Sequence, residues 1–159
     1  MHEAGVVPLV LIPQLIFAGA VIPLLMALWF RYLFQAVATT AAVLPRRGWR
    51  VFATARKPED IARLKEEGFD SLYLDYAEPQ SIEAAAGEVL QAAGSTLTGL
   101  FNNGSYGQPG AFEDMTTDAL RAQFEANFFG WHDLTARVIP AMRAQGRGRI
   151  VFCSLVFGF

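Results

Sequence analysis

The chain has 159 residues, a formal net charge of −2 and one cysteine. Its length suffices for one domain with a core. A single cysteine excludes an intramolecular disulfide and favours a reducing compartment. Charges of both signs are interspersed after residue 45. No cluster of Lys and Arg has the footprint of a nucleic-acid site, so nucleic acid is not expected as a partner. The soft metal ligands His2, His132 and Cys153 have no usable spacing, so no metal site is expected either.

The first segment in chain order is strongly apolar. Between Glu3 and Arg46 the only charged residue is Arg31, which has aromatic residues on both sides. A helix over residues 5–34, at about 1.5 Å per residue, would exceed the roughly 30 Å thickness of a bilayer's hydrocarbon layer. We therefore predict that residues 1–45 form a hydrophobic helical segment embedded in membrane lipid through residues 5–34.

The orientation of that segment follows from its flanks, because Arg46, Arg47 and Arg50 lie on its C-terminal side. The positive-inside rule then places the globular part in the cytoplasm. Two alternatives remain open. A secretory signal peptide would need a basic start, which the sequence lacks. A short buried strand over residues 24–29 is compatible with the prolines nearby, and it would make the protein cytoplasmic without a membrane anchor.

From residue 50 onward, strand patterns alternate with helix patterns. The predicted strands are residues 50–55, 71–75, 97–101 and 149–153. The predicted helices begin at Lys57-Pro58, at Ser81 and at Thr116 or Thr117, and they end at Gly68, Gly94 and Gly146. Strands and helices that alternate at this spacing predict an α/β fold whose parallel sheet is covered on both faces.

Short motifs along the second part of the chain occur in a fixed order. They are Arg47-Gly48-Trp49-Arg50-Val51, Ala55-Arg56-Lys57, Leu74-Asp75, Asn102-Asn103-Gly104, Asn127-Phe128-Phe129-Gly130 and Gly148-Arg149-Ile150-Val151. In this order they resemble the short-chain dehydrogenase/reductase family over residues 46–159, about the second to fifth strands of its fold. The resemblance implies a partial Rossmann-like, doubly wound, three-layer parallel sheet after the hydrophobic segment, and an NADP(H)-dependent oxidoreductase lineage.

The resemblance also implies roles for particular residues. Arg56 and Lys57 would clamp the 2′-phosphate of NADP, whereas an acid there would select NAD. Asp75 would reach the adenine amino group, and the loop Asn102-Asn103-Gly104 would line the cofactor at the carboxyl edge of the sheet. The alternative interpretations are a solvated charge pair at a helix start for the first two, a strand-end turn residue for Asp75, and plain turn chemistry for the loop.

Two further polar residues lie on the long predicted helix. The resemblance implies that Asn127 bends this helix and helps to hold a proton-relay water, and Asn127 is the one catalytic position of the family that the chain retains. His132 is interpreted as an ordinary helix histidine. The loop also departs from the family, because Gly104-Ser105 stands where the family has Ala-Gly.

Several residues that the family needs for cofactor binding and catalysis are replaced. The three glycines of its cofactor loop fall on Arg31, Gln35 and Val37, and its catalytic serine falls on Leu155. A Tyr-x-x-x-Lys motif does not occur in the sequence. We therefore expect weak NADP binding and no turnover from this chain alone. The alternatives are a membrane-anchored, non-catalytic binding or interaction protein, and a truncated or frame-shifted gene product without function.

The sheet of the predicted domain would also lack one strand. In this fold the first strand lies between the second and the fourth, so residues 50–55 and 97–101 must pair directly or stay apart if residues 5–34 are in lipid. A protein partner that completes the sheet is a further expectation.

Overall fold

The computed structural model describes residues 43–45, 48–105, 107 and 110–153. The chain divides into two compact units, Met1–Trp49 and Arg50–Phe159. In the first unit the N–H of Gly48 donates to the carbonyl of Pro45. The predicted membrane segment lies outside the described residues. None of the helices within them is long and apolar enough to cross a bilayer.

The second unit alternates strands and helices in the predicted order. The strands are β1 (Phe52–Ala55), β2 (Asp70–Tyr73), β3 (Gly99–Asn102) and β4 (Arg149–Phe152). The helices are α1 (Pro58–Glu66), α2 (Pro79–Ala92), α3 (Thr117–Phe124) and α4 (Gly130–Ala144). A single 3₁₀ turn spans Phe112–Asp114, and a π-helical turn over Glu125–Phe129 joins α3 to α4. The alternation of helix and strand is therefore as predicted.

The helix ends follow local chemical signals. Pro58 and Pro79 open α1 and α2, where a missing N–H leaves no hydrogen bond unmade. Thr116 caps α3, because its Oγ1 accepts a hydrogen bond from the N–H of Ala119 at 3.2 Å. After α1, Gly68 has a φ of +89°, which is a conformation that glycine adopts without steric cost.

The four strands form two separate parallel pairs. β1 pairs with β2, with Phe52 opposite Asp70, and β3 pairs with β4, with Gly99 opposite Arg149. Within the described residues, β1 and β3 share no hydrogen-bonded ladder. Direct pairing of β1 with β3 is therefore absent from the described part of the chain.

A common hydrophobic core joins the two strand pairs. Its buried members are Leu74, Ile82, Ala85, Ala86 and Leu134, with Tyr76 and Leu100 packed against them. Leu74 directly follows β2 and Leu100 lies in β3, so this core reaches both pairs. Its helical members belong to α2 and α4, which pack against each other. Within the described residues, side-chain packing on these helices therefore links the two pairs, and Ile82→Ala would cost about 2–5 kcal/mol.

Candidate functional site

Polar residues gather at the carboxyl ends of three strands. They are Arg56 and Lys57 after β1, Asp75 after β2, and Asn102, Asn103 and Gly104 at the end of β3. These are the residues for which the sequence predicts contact with a cofactor. In open parallel sheets ligands bind outside this edge of the strands.

Arg56 and Asp75 face each other across the exits of β1 and β2. Arg56 Nε lies 3.9 Å from Asp75 Oδ2, and the arginine side chain is 61% exposed while the aspartate side chain is 16% exposed. An exposed pair of this kind contributes at most about 1 kcal/mol, so the guanidinium costs little to redirect towards an anion. Lys57 is exposed at the N-cap of α1, where the helix dipole also favours negative charge.

Asp75 is held by a turn of its own. Its Oδ1 accepts a hydrogen bond from the N–H of Ala77 at 2.9 Å, and its own N–H donates to Ser81 Oγ at 2.7 Å. The N–H of Glu78 donates to its carbonyl at 3.1 Å. This Asx-type turn leads the chain into α2. One carboxylate oxygen thus serves the turn, and the other faces Arg56.

Asn102 lies beneath the loop rather than on its surface. Its side chain is fully buried, and Nδ2 donates a hydrogen bond to Thr135 Oγ1 at 3.1 Å. Its Oδ1 has no hydrogen-bonding partner among the described residues. The side chain therefore ties β3 to α4. Asn103 is half-buried and Gly104 is exposed, so these two form the accessible part of the loop.

Two aromatic residues that the sequence did not single out hold this loop. Trp131 Nε1 donates a hydrogen bond to the carbonyl of Gly104 at 2.7 Å. The ring of Tyr76 meets the Trp131 ring edge-on, with 6.4 Å between the ring centroids. Burial raises the pKa of Tyr76 to about 12. The sequence offers one signal for these two residues, which is that each directly follows a residue of a family motif. Tyr76 follows Asp75, and Trp131 follows Gly130.

The structure describes some of the remaining predicted positions and leaves others outside the described residues. Asn127 is half-buried and lies in the π-helical turn, and such turns widen and bend a helix at functional sites. His132 is exposed on α4. The position of the family's catalytic serine, Leu155, lies outside the described residues, as do Arg31, Gln35 and Val37. The described part contains no cluster of three acidic, His or Cys side chains suited to a metal ion.

Parallel strands joined by crossover helices define an α/β protein of the doubly wound class, with polar residues at the strand exits. The sequence model of the family "short chain dehydrogenase" matches residues 38–159. The chain therefore belongs to the short-chain dehydrogenase family, as its motifs indicate. The match begins at residue 38, before the predicted boundary at residue 46.

Curated relatives agree with this assignment. The uncharacterized oxidoreductase YbbO of Escherichia coli is 41% identical over 119 residues, which are 75% of this chain and 44% of YbbO. The 3-ketodihydrosphingosine reductase of Bacteroides thetaiotaomicron is 32% identical over 120 residues, which are 75% of this chain and 42% of that enzyme. The chain thus spans less than half the length of these relatives.

Solved structures agree on the fold. A short-chain dehydrogenase from Streptomyces avermitilis is 32% identical with a TM-score of 0.67, over 74% of this chain and 46% of that protein. A metagenomic short-chain oxidoreductase in complex with NADP is 29% identical with a TM-score of 0.59, over 68% of this chain and 52% of that protein. The predicted Rossmann-like α/β fold is confirmed.

Proposed function

We propose that the chain is an NADP(H)-dependent oxidoreductase by lineage that retains the adenosine side of its cofactor site. The observation that carries this proposal is the pair of exposed cations, Arg56 and Lys57, beside Asp75 at the carboxyl edge of the first strand pair. A guanidinium binds a phosphate through two parallel charge-assisted hydrogen bonds. A relative that was solved in complex with NADP supports the same cofactor.

We further propose that the chain alone binds this cofactor weakly and does not turn it over. The glycine positions of the cofactor loop hold Arg31, Gln35 and Val37, whose side chains obstruct close approach of the backbone to a pyrophosphate. Leu155 cannot hydrogen-bond a substrate oxygen. A missing hydrogen-bond donor to a reacting oxygen costs about 10²–10³-fold in rate, so leucine at this position suppresses the reaction.

Binding is tested by calorimetry with NADPH and NADH. We expect a dissociation constant for NADPH of millimolar order or weaker, and still weaker binding of NADH. The double variant Arg56→Ala/Lys57→Ala should remove the difference between the two cofactors. The matched control is Arg121→Ala on α3, whose arginine is exposed and lies 3.2 Å from Asp118. Equal binding of both cofactors by the unmodified chain would contradict the proposal.

Turnover is tested separately with NADPH and a panel of carbonyl compounds. No oxidation of NADPH above a heat-inactivated control is expected. Leu155→Ser alone should not restore the reaction, because the glycine positions of the cofactor loop would still hold Arg31, Gln35 and Val37. Measurable cofactor-dependent reduction by the unmodified chain would show that the substituted positions do not prevent catalysis.

A second candidate function is that of a membrane-anchored, non-catalytic binding protein. The apolar run of residues 5–34, in which Arg31 is the only charged residue, favours it. Flotation with lipid vesicles and reporters fused at each end would test both the anchor and the cytoplasmic position of residues 46–159. A monodisperse chain without detergent would exclude the anchor and favour a cytoplasmic protein. This candidate function includes a protein partner that completes the sheet. A pull-down from cells that express the chain would identify such a partner.

A further inference from the structure

Glycine is needed at position 104 because a neighbouring residue occupies the space beside it, and not because of the conformation of its own backbone. Its φ lies outside the left-handed region that favours glycine. A Cβ added at this position would lie 2.6 Å from Tyr76 Cε2 and 3.4 Å from Tyr76 Cδ2. Carbon atoms that are not bonded to each other have their optimal separation at about 3.5–4.0 Å, so the first of these distances is a steric clash. The ring of Tyr76 thus occupies the space that any larger residue at position 104 would need.

Gly130 meets the same residue in a different way. A Cβ added there would collide with the backbone carbonyl oxygen of Tyr76 and would lie 2.8 Å from its carbonyl carbon. The obstacle at Gly104 is therefore the side chain of Tyr76, whereas at Gly130 it includes the backbone of Tyr76. Trimming the side chain can relieve the first contact but not the second.

The loop that carries Gly104 is consequently held from two sides. The Tyr76 ring packs on it, and the indole N–H of Trp131 binds its carbonyl at 2.7 Å. Tyr76 directly follows Asp75, so one short segment carries both the acidic group of the site and the ring that packs on the loop. The exits of β2 and β3 are thereby coupled through side chains.

We propose that Tyr76 is a positioning residue that sets the path of the loop carrying Asn103 and Gly104 and thereby shapes the edge at which the cofactor binds. Its effect on cofactor binding rests on the function proposed above. The proposal also accounts for glycine at position 104, where the family motif has alanine, because alanine would meet the tyrosine ring.

A double-mutant cycle in the full chain tests the steric part. Gly104→Ala should raise the unfolding equilibrium constant about 10- to 100-fold, as overpacking does. Adding Tyr76→Leu should remove most of that increase relative to Tyr76→Leu alone, whereas adding Tyr76→Phe should not, because phenylalanine keeps the ring. Gly130→Ala should stay destabilising in both backgrounds. Gly107→Ala is the control, since Gly107 also lies outside the helices and nothing lies within 4 Å of its added Cβ.

The positioning part needs a readout that a purely packing role would not change. The indole N–H resonance of Trp131, assigned with Trp131→Phe, should shift in Tyr76→Leu and stay in place in Tyr76→Phe. NADPH binding should weaken severalfold in Tyr76→Leu only. Tyr73→Leu is the matched control, because Tyr73 is exposed and bonds Glu78 instead.

The outcomes separate the two proposals. If the unmodified chain binds no NADPH, the proposed function fails, while the cycle and the indole resonance still decide whether Tyr76 sets the loop. A Gly104→Ala variant as stable as the unmodified chain and Gly107→Ala, or an equal loss with and without the tyrosine ring, would overturn the inference. An indole resonance that stays in place in Tyr76→Leu would overturn it as well.

Discussion

Asn102 and Thr135 form a buried hydrogen bond between the end of β3 and the body of α4, with 3.1 Å between Nδ2 and Oγ1. Asn102 is completely shielded from solvent, so its amide has to find partners inside the protein. This bond therefore fixes the position, relative to α4, of the loop that begins at the next residue. The loop that is predicted to line the cofactor rests on this pair.

Thr135→Val keeps the shape of the side chain but removes the acceptor for the Asn102 amide. Because the amide then remains buried without that partner, we expect the free energy of unfolding to fall by about 1–3 kcal/mol. Urea denaturation would measure the change. Thr117→Val on exposed α3 is the control and should change stability by less than about 0.5 kcal/mol. A neutral Thr135→Val would show that the bond is not needed.

Thr116→Ala removes the hydroxyl that caps α3. The N–H of Ala119 loses its 3.2 Å partner, and a cost of about 1 kcal/mol is expected. Thr117→Ala, one residue later, is a matched control because Thr117 is already the first residue of the helix. Thermal unfolding of both variants would rank them. If Thr117→Ala proved the more harmful, the cap assignment would be wrong.

Asp75→Ala should destabilise the protein by about 0.5–1.5 kcal/mol, because the N–H of Ala77 loses its acceptor. Asp75→Asn keeps an oxygen in the same place and should cost less. Asp118→Ala provides the comparison, since Asp118 has a side chain that is 90% exposed and pairs only with a neighbouring arginine. Chemical denaturation distinguishes the three variants, and equal losses for alanine and asparagine at position 75 would argue against the turn.

The buried phenol of Tyr76 predicts a loss of stability in alkali. Burial raises the pKa of Tyr76 to about 12, above its ordinary value of 10.0. The folded state therefore favours the protonated phenol, and its stabilising effect is complete below about pH 10 and is lost as the pH rises through 12. The loss is on the order of 1–3 kcal/mol. This loss of stability in alkali should disappear in Tyr76→Phe and persist in Tyr73→Phe. Measuring the free energy of unfolding at each pH would test this.

Local signals were sufficient to predict most elements of the second unit. Prolines at helix starts, the hydroxyl of Thr116 and glycines such as Gly68 act within one turn of chain, so the sequence displays them directly. Apolar residues of strand length marked all four strands. The residues proposed for the site were identified through the family resemblance, and the alternation adds that they follow the carboxyl ends of parallel strands, where ligands bind in such sheets.

The parts that were not predicted depend on distant contacts. Asn102 looks like a turn residue in the sequence, but Thr135 on α4 makes it part of the core. Tyr76 gains its importance from Gly104 and Gly130, which lie far along the chain. The π-helical turn at Glu125–Phe129 leaves no mark in apolar periodicity, because a single wide turn shifts the pattern only locally. Long-range packing of this kind cannot be derived from residue spacing.

The separation of the strands into two pairs has a consequence for the order of folding. Phe52 meets Asp70 after a short crossover, whereas Gly99 meets Arg149 only after a loop about three times as long. The entropy of loop closure then favours the β1–β2 pair by about 1 kcal/mol. We expect the β1–α1–β2 crossover unit to form early, and the β3–β4 pair to form only once α2 and α4 have docked. Among the described residues, the docking of α2 against α4 is therefore the step that brings the two strand pairs together.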